Sequence, residues 1–129
     1  LGAAKNNSIN PIYVIAPSTS DARMPKVTAA CGGFVYAASL MGVTGARNSV
    51  SSGAADLVAR IRTTTDLPVA VGLGVSTREQ AKDVAAYADG VIVGSAFIKA
   101  LQDAPNEEAG LAAVKELATE LAKGVREGR

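Results

Sequence analysis

Two short glycine-bearing stretches, Gly72-Leu73-Gly74 and Gly94-Ser95, each end an apolar run and lead into a helical pattern. Glycine lets a backbone approach an anion closely, and the free N–H groups of a first helical turn, aided by the helix dipole, bind phosphate. Ser95 adds a hydroxyl donor to the second stretch. A third stretch, GVTGAR at residues 42–47, follows the apolar run that contains Tyr36, and its glycines read as hinges of a polar loop. The chemistry this suggests is the holding of a phosphorylated ligand.

Proton transfer is harder to find. The chain has no His and no Trp, so His-based acid–base work, His-supported nucleophiles and His metal ligands are excluded. Catalysis would have to use carboxylates, Lys, Tyr or backbone dipoles. The acidic residues fall inside helical patterns (Asp56, Glu79, Asp83, Glu116) or just before strands (Asp66, Asp89), away from the glycine stretches. Asp21 alone follows a strand end, and there it is expected in the first turn of a helix, stabilising the dipole.

The single cysteine, Cys31, rules out an internal disulfide and any cysteine cluster, as expected in a reducing compartment. Thirteen Lys and Arg against twelve Asp and Glu give a net charge of +1, with both signs interspersed. Such balance argues against a nucleic-acid partner, and aromatic platforms for stacked bases are lacking. The longest apolar runs fall well short of the roughly 18 residues of a membrane span, so a soluble, cytoplasmic protein is expected. Leu1 opens in the middle of a polar segment that reads as the end of a helix and a turn, as at a cut rather than a native terminus.

Residues 11–17 form a continuous apolar run between prolines, the pattern of a strand buried on both faces. Ser18, Thr19 and Ser20 offer N-caps for a helix reaching about residue 30, and Pro25 confines that helix to a short or irregular form. A second buried strand spans 34–38, and after a long loop residues 54–62 carry Leu57, Val58 and Ile61 on one helical face. A third strand at 69–71 leads to a helix over 78–88, with Thr77 and Gln80 forming a capping-box pattern. A fourth strand at 91–93 precedes a long helix over 107–126, whose Lys115, Glu116, Glu120 and Lys123 read as a solvated face.

Four βα units with apolar strands imply an α/β fold with a parallel sheet. With 129 residues there is room for one domain. Four units make either a small open sheet or half of a (βα)8 barrel. Phosphate loops in two consecutive units match the way such barrels hold phosphorylated substrates after their seventh and eighth strands, which favours the half-barrel.

The segments APSTSDAR, GFVYAASLMGVTGAR, LPVAVGLGVSTREQ and ADGVIVGSAFI, in this order and spacing, closely resemble the tryptophan synthase alpha subunit family. The resemblance covers nearly the whole chain and implies a TIM barrel of which residues 1–129 are the carboxy-terminal half, units five to eight, with no second domain. It implies a lyase that cleaves indole-3-glycerol phosphate to indole and glyceraldehyde 3-phosphate in tryptophan biosynthesis. Indole would pass to a beta subunit carrying pyridoxal phosphate in an alpha2beta2 complex, with no cofactor in this chain.

Carried across position by position, Tyr36 matches the family's tyrosine beside the indole, Thr44 its mobile loop threonine and Gly45 the glycine next to it. Leu73 stands where many members have a Phe against the indole ring, while Gly74, Gly94 and Ser95 match the phosphate donors. The family's two catalytic carboxylates belong to the amino-terminal half and have no counterpart here, so the fragment alone is expected to be inactive, with a poorly ordered GVTGAR loop. Two other readings remain at this level: another phosphosugar-binding TIM-barrel enzyme, and a non-catalytic half-barrel scaffold.

Overall fold

The computed structural model describes residues 1–39 and 47–129, with the backbone alone for 47–52. The expectation about the GVTGAR loop, and with it Thr44 and Gly45, falls outside the described residues. The elements are α1 (Gly2–Asn6), β1 (Val14–Ile15), α2 (Met24–Ala30), β2 (Val35–Ala38), α3 (Arg47–Arg62), β3 (Val69–Gly72), α4 (Arg78–Ala85), β4 (Gly90–Ile92), α5 (Ser95–Asp103) and α6 (Glu107–Gly128).

The four strands form one sheet in the order β1-β2-β3-β4, and every pair is parallel. Parallel neighbours require crossovers, which are right-handed almost without exception. A doubly wound sheet reverses its strand order partway and so places helices on both faces. Here the order never reverses, so every crossover passes over the same face. The sheet is singly wound, as in one half of a closed barrel.

Burial follows from that winding. Ile15, Val35, Ala37, Val69 and Val71 point to the helix-covered face and are 1% exposed or less. There they meet Ala54, Leu57, Val58 and Ile61 of α3 and Ala81 and Val84 of α4 in one core. The register aligns Val14, Tyr36, Ala70 and Gly90 on the opposite face. Val14 is 58% exposed, while Tyr36 and Ala70 are half-buried. The expectation of strands buried on both faces is thus corrected: among the described residues only one face is covered.

Local chemistry moves two helix starts. Ser20 Oγ accepts the Arg23 N–H at 3.2 Å and Thr19 Oγ1 accepts the Ala16 N–H at 3.1 Å, so these hydroxyls close turns ahead of the helix instead of capping it. α2 begins at Met24 with Pro25 in its first turn, where a missing N–H does no harm. Asp21 therefore lies outside the helix, and its carboxylate pairs with Arg60 at 2.9 Å. Arg60 also donates to the carbonyls of Pro17 and Thr19, which ties the loop after β1 to α3. α3 starts at Arg47, so the Ser-rich stretch expected as a loop is helical. The Thr77–Gln80 capping box forms as expected, and Asn106 caps α6. Among the described residues no helix is long and apolar enough to cross a membrane.

α6 packs on α4 through glycines. A Cβ at Gly124 would collide with the Arg78 carbonyl, and one at Gly128 with the Lys82 carbonyl. The Arg78 guanidinium bridges Glu120 and Glu127 over this contact. Gly53 in α3, by contrast, faces open space. Urea titrations should separate the two environments: Gly124→Val is expected to destabilise by about 1–3 kcal/mol through overpacking. Gly53→Ala is expected to stabilise by roughly 0.5–1 kcal/mol through helix propensity.

Candidate functional site

Described residues at the carboxyl ends of the four strands, and just beyond them, meet at the uncovered face, where a cavity of about 1000 Å³ opens. Tyr36, Leu73, Gly74, Gly94 and Ser95 all line it. Five of the residues singled out from sequence thus share one cavity, although they belong to three different βα units. Ser18 and Ser39 line it as well and were not anticipated. Their signal in the sequence was position alone, each lying just past an apolar run, which many surface serines share.

Tyr36 sits in the middle of β2 with its side chain on the uncovered face. Its ring crosses the end of β3, so close to Gly72 that a Cβ there would lie 2.5 Å from the phenol oxygen. Gly72 is therefore glycine because the tyrosine occupies its side-chain space. Ser39 donates its N–H to the Gly72 carbonyl at 3.0 Å, which joins the ends of β2 and β3. Gly74 adopts φ +79°, the left-handed region that favours glycine, and so turns the chain back after Leu73. Leu73 is 7% exposed, so it packs into the core while also forming part of the cavity wall.

The two helix starts at the cavity differ. In α4 a capping box closes the start: Thr77 Oγ1 accepts the Gln80 N–H at 3.2 Å and the Gln80 side chain accepts the Ser76 N–H at 2.8 Å and the Thr77 N–H at 3.3 Å, while the Arg78 and Glu79 N–H groups have no acceptor among the described residues. α5 begins at Ser95, with Gly94 ahead of it and no side-chain cap. Phe97 and Ile98 donate to the Gly94 carbonyl, while the Ser95 and Ala96 N–H groups have no acceptor among the described residues. A Cβ at Gly94 would meet nothing within 4 Å. Open space beside free helix-start donors and a serine hydroxyl is the chemistry of an anion seat.

Among the described residues the cavity lining carries no Asp, Glu, Lys or Arg. Among the described residues no cluster of His, Cys, Asp or Glu could hold a metal ion. Asp89 stands at the other end of the sheet, just before β4, and accepts the Val69 N–H at 2.9 Å and an Arg62 N–H at 3.2 Å. The Val69 N–H first, and Arg62 beside it, hold its carboxyl below the usual carboxylate range. That geometry joins β3 to β4 and does no work at the cavity.

Comparison with known proteins places this geometry. The family model for the tryptophan synthase alpha chain matches residues 1–126. The tryptophan synthase alpha chain of Streptomyces avermitilis is 62% identical over 125 residues, covering 97% of this chain and 45% of the relative. That of Streptomyces coelicolor is 59% identical over 123 residues, with 95% and 45% covered. The chain thus spans about half the length of the curated relatives it matches. Among solved structures, tryptophan synthase from Mycobacterium tuberculosis in an aminoacrylate-bound form superposes with a TM-score of 0.81 at 41% identity, over 97% of this chain and 44% of that one. The tryptophan synthase alpha subunit of Campylobacter jejuni gives 0.78 at 28% identity, over 90% and 46%.

Two measurements probe the site's construction. Gly72→Ala should destabilise by about 1–3 kcal/mol; in a Tyr36→Ala background the same change should be close to neutral, a non-additivity that a double-mutant cycle reads directly. Asp89, with its carboxyl depressed in the folded chain, contributes stability above the ordinary carboxylate range, and that contribution disappears as pH falls through the folded value. Stability profiles of the parent and Asp89→Asn should therefore differ at neutral pH and converge in acid.

Proposed function

The chain belongs to the tryptophan synthase alpha chain family, and on that premise we propose that it forms units five to eight, the carboxy-terminal half, of the barrel that cleaves indole-3-glycerol phosphate to indole and glyceraldehyde 3-phosphate. The observation that carries the reading is the convergence of the Gly72–Gly74 and Gly94–Ser95 turns with Tyr36 on one uncharged cavity.

In this assignment the substrate phosphate sits at the start of α5, held by the Ser95 and Ala96 N–H groups and the Ser95 hydroxyl, with the helix dipole favouring its charge. Gly74 lets the neighbouring backbone approach the same phosphate. Tyr36 and Leu73 form part of the wall for the indole, an apolar ring suited to a lining without charges. By the family resemblance Thr44 and Gly45, which lie outside the described residues, would belong to a mobile lid following β2.

Carbon–carbon cleavage of this substrate is a retro-aldol reaction, which needs a proton delivered to the indole carbon and a carboxylate base. The described lining of the cavity offers no carboxylate, and on this reading the two catalytic carboxylates of the family belong to the other half of the barrel. The reading makes this part of the protein a substrate-binding face of a cytoplasmic enzyme of tryptophan biosynthesis. Released indole would go to a beta subunit, where pyridoxal phosphate supplies the chemistry of the next step.

Calorimetric titration with indole-3-propanol phosphate, a substrate mimic that lacks the cleavable linkage, tests the assignment. Binding is expected for the chain, and Ser95→Ala should weaken it about tenfold or more, the usual worth of a hydrogen bond to a charged group. No turnover of indole-3-glycerol phosphate is expected until the remaining units are supplied. Binding of short sugar phosphates without the indole compound would instead favour a different phosphosugar barrel, and an affinity unchanged by Ser95→Ala would remove the phosphate from the start of α5.

A further inference from the structure

The loop that leads from β1 to α2 has no apolar anchor of its own. Ile15 and Met24 at its two ends are buried, and none of residues 16–23 between them is. Yet Ala16, Pro17 and Ser18 line the cavity. Loops carry ligand contacts where a rigid scaffold positions them. With no buried side chain to hold this one, hydrogen bonds must fix it.

Part of that hold comes from the loop itself. Thr19 closes a turn on Ala16, its N–H donating to the Ala16 carbonyl at 2.9 Å and its Oγ1 accepting the Ala16 N–H at 3.1 Å. The rest comes from one side chain remote in sequence. Arg60 donates from Nη1 to the Pro17 carbonyl at 3.2 Å and from Nη2 to the Thr19 carbonyl at 2.6 Å. Its Nε and Nη2 also donate to one Asp21 carboxylate oxygen, at 3.0 and 2.9 Å. The two carbonyls flank Ser18, and Pro17 is itself a lining residue. Leu57, Val58 and Ile61 of the same helix are 1% exposed or less, so the backbone that carries Arg60 is fixed by the core. A planar guanidinium meets three acceptors at set angles, which the ammonium of a lysine on its flexible stem does not reproduce.

β1 stands first in the sheet order and β4 last, so the clasped wall lies across the cavity from the start of α5. A ligand whose phosphate sits at Ser95 has its organic part on the side of β1 to β3. We propose that Arg60 is a positioning residue for the site: it sets the place of the Ala16–Ser18 wall against the organic part of the ligand without touching the ligand. The clasp rests on the geometry of the chain, and the choice of ligand rests on the proposed indole-3-glycerol phosphate reading.

In the barrel completed with its remaining units, calorimetry should show Arg60→Ala weakening indole-3-propanol phosphate about fivefold or more, with inorganic phosphate held within about twofold. Arg60→Lys, which keeps the charge, should behave like Arg60→Ala. Asp21→Ala, which leaves both carbonyl contacts in place, should behave like the parent. Amide exchange in the ligand-free protein reads the clasp separately: both Arg60 variants should speed exchange of the Ala16 and Thr19 amides about tenfold and leave α4 unchanged. Rescue by lysine, equal weakening of both ligands, or unchanged exchange would overturn the proposal. A parent that binds inorganic phosphate and not the indole compound ends the substrate assignment instead, and the exchange measurement then decides the clasp by itself.

Discussion

Each strand of this chain pairs with the next one along the sequence, in the same direction. Because parallel pairing demands a right-handed crossover each time, this one constraint places every connecting helix on a single face of the sheet. The core, the bare inner face and the position of the cavity all follow from it. Val35, Ala37, Val69 and Val71 are buried because the helices must lie over them. Tyr36, Ala38, Ala70 and Gly72 are left on the other side because the strand period is two.

Division of labour between the two ends of the sheet is equally physical. At the amino ends, charged groups stitch strands together: Asp89 holds the β3 backbone and Arg62, and the Arg129 guanidinium donates to the Asp89 carbonyl. The carboxyl ends carry glycines, serines and helix starts, with no ionised side chain in the cavity lining among the described residues. An anion arriving there meets donors and no competing carboxylate. That is the arrangement in which (βα)8 barrels keep stability at one end and ligand chemistry at the other.

Much of this was legible in the residues. Apolar runs located all four strands, Thr77 with Gln80 announced the start of α4, and the glycine turns marked the ends of β3 and β4 that line the cavity. The misreadings share a cause. Ser18–Ser20 and the Ser-rich stretch before Ala54 looked alike as local signals, yet the first closes turns outside a helix and the second lies within one. Local hydroxyl chemistry permits both outcomes, and the choice depends on what the flanking segment packs against. Asp21 was likewise assigned to a helix dipole, but Arg60, far off in sequence, claims its carboxylate.

By itself the sequence determined the order of the four βα units and the chemical character of each loop, because periodicity, capping and glycine content act over a few residues, while α5 between β4 and α6 was marked only by its start at Gly94-Ser95. The family, too, was already written in the spacing of four motifs. Only the tertiary structure decided that Tyr36, Leu73, Gly74, Gly94 and Ser95 share one cavity, that Gly72 yields its side-chain space to Tyr36, and that one face of the sheet stands open. Those facts depend on strand register and on the hand of each crossover, which join residues remote in the chain and leave no local trace.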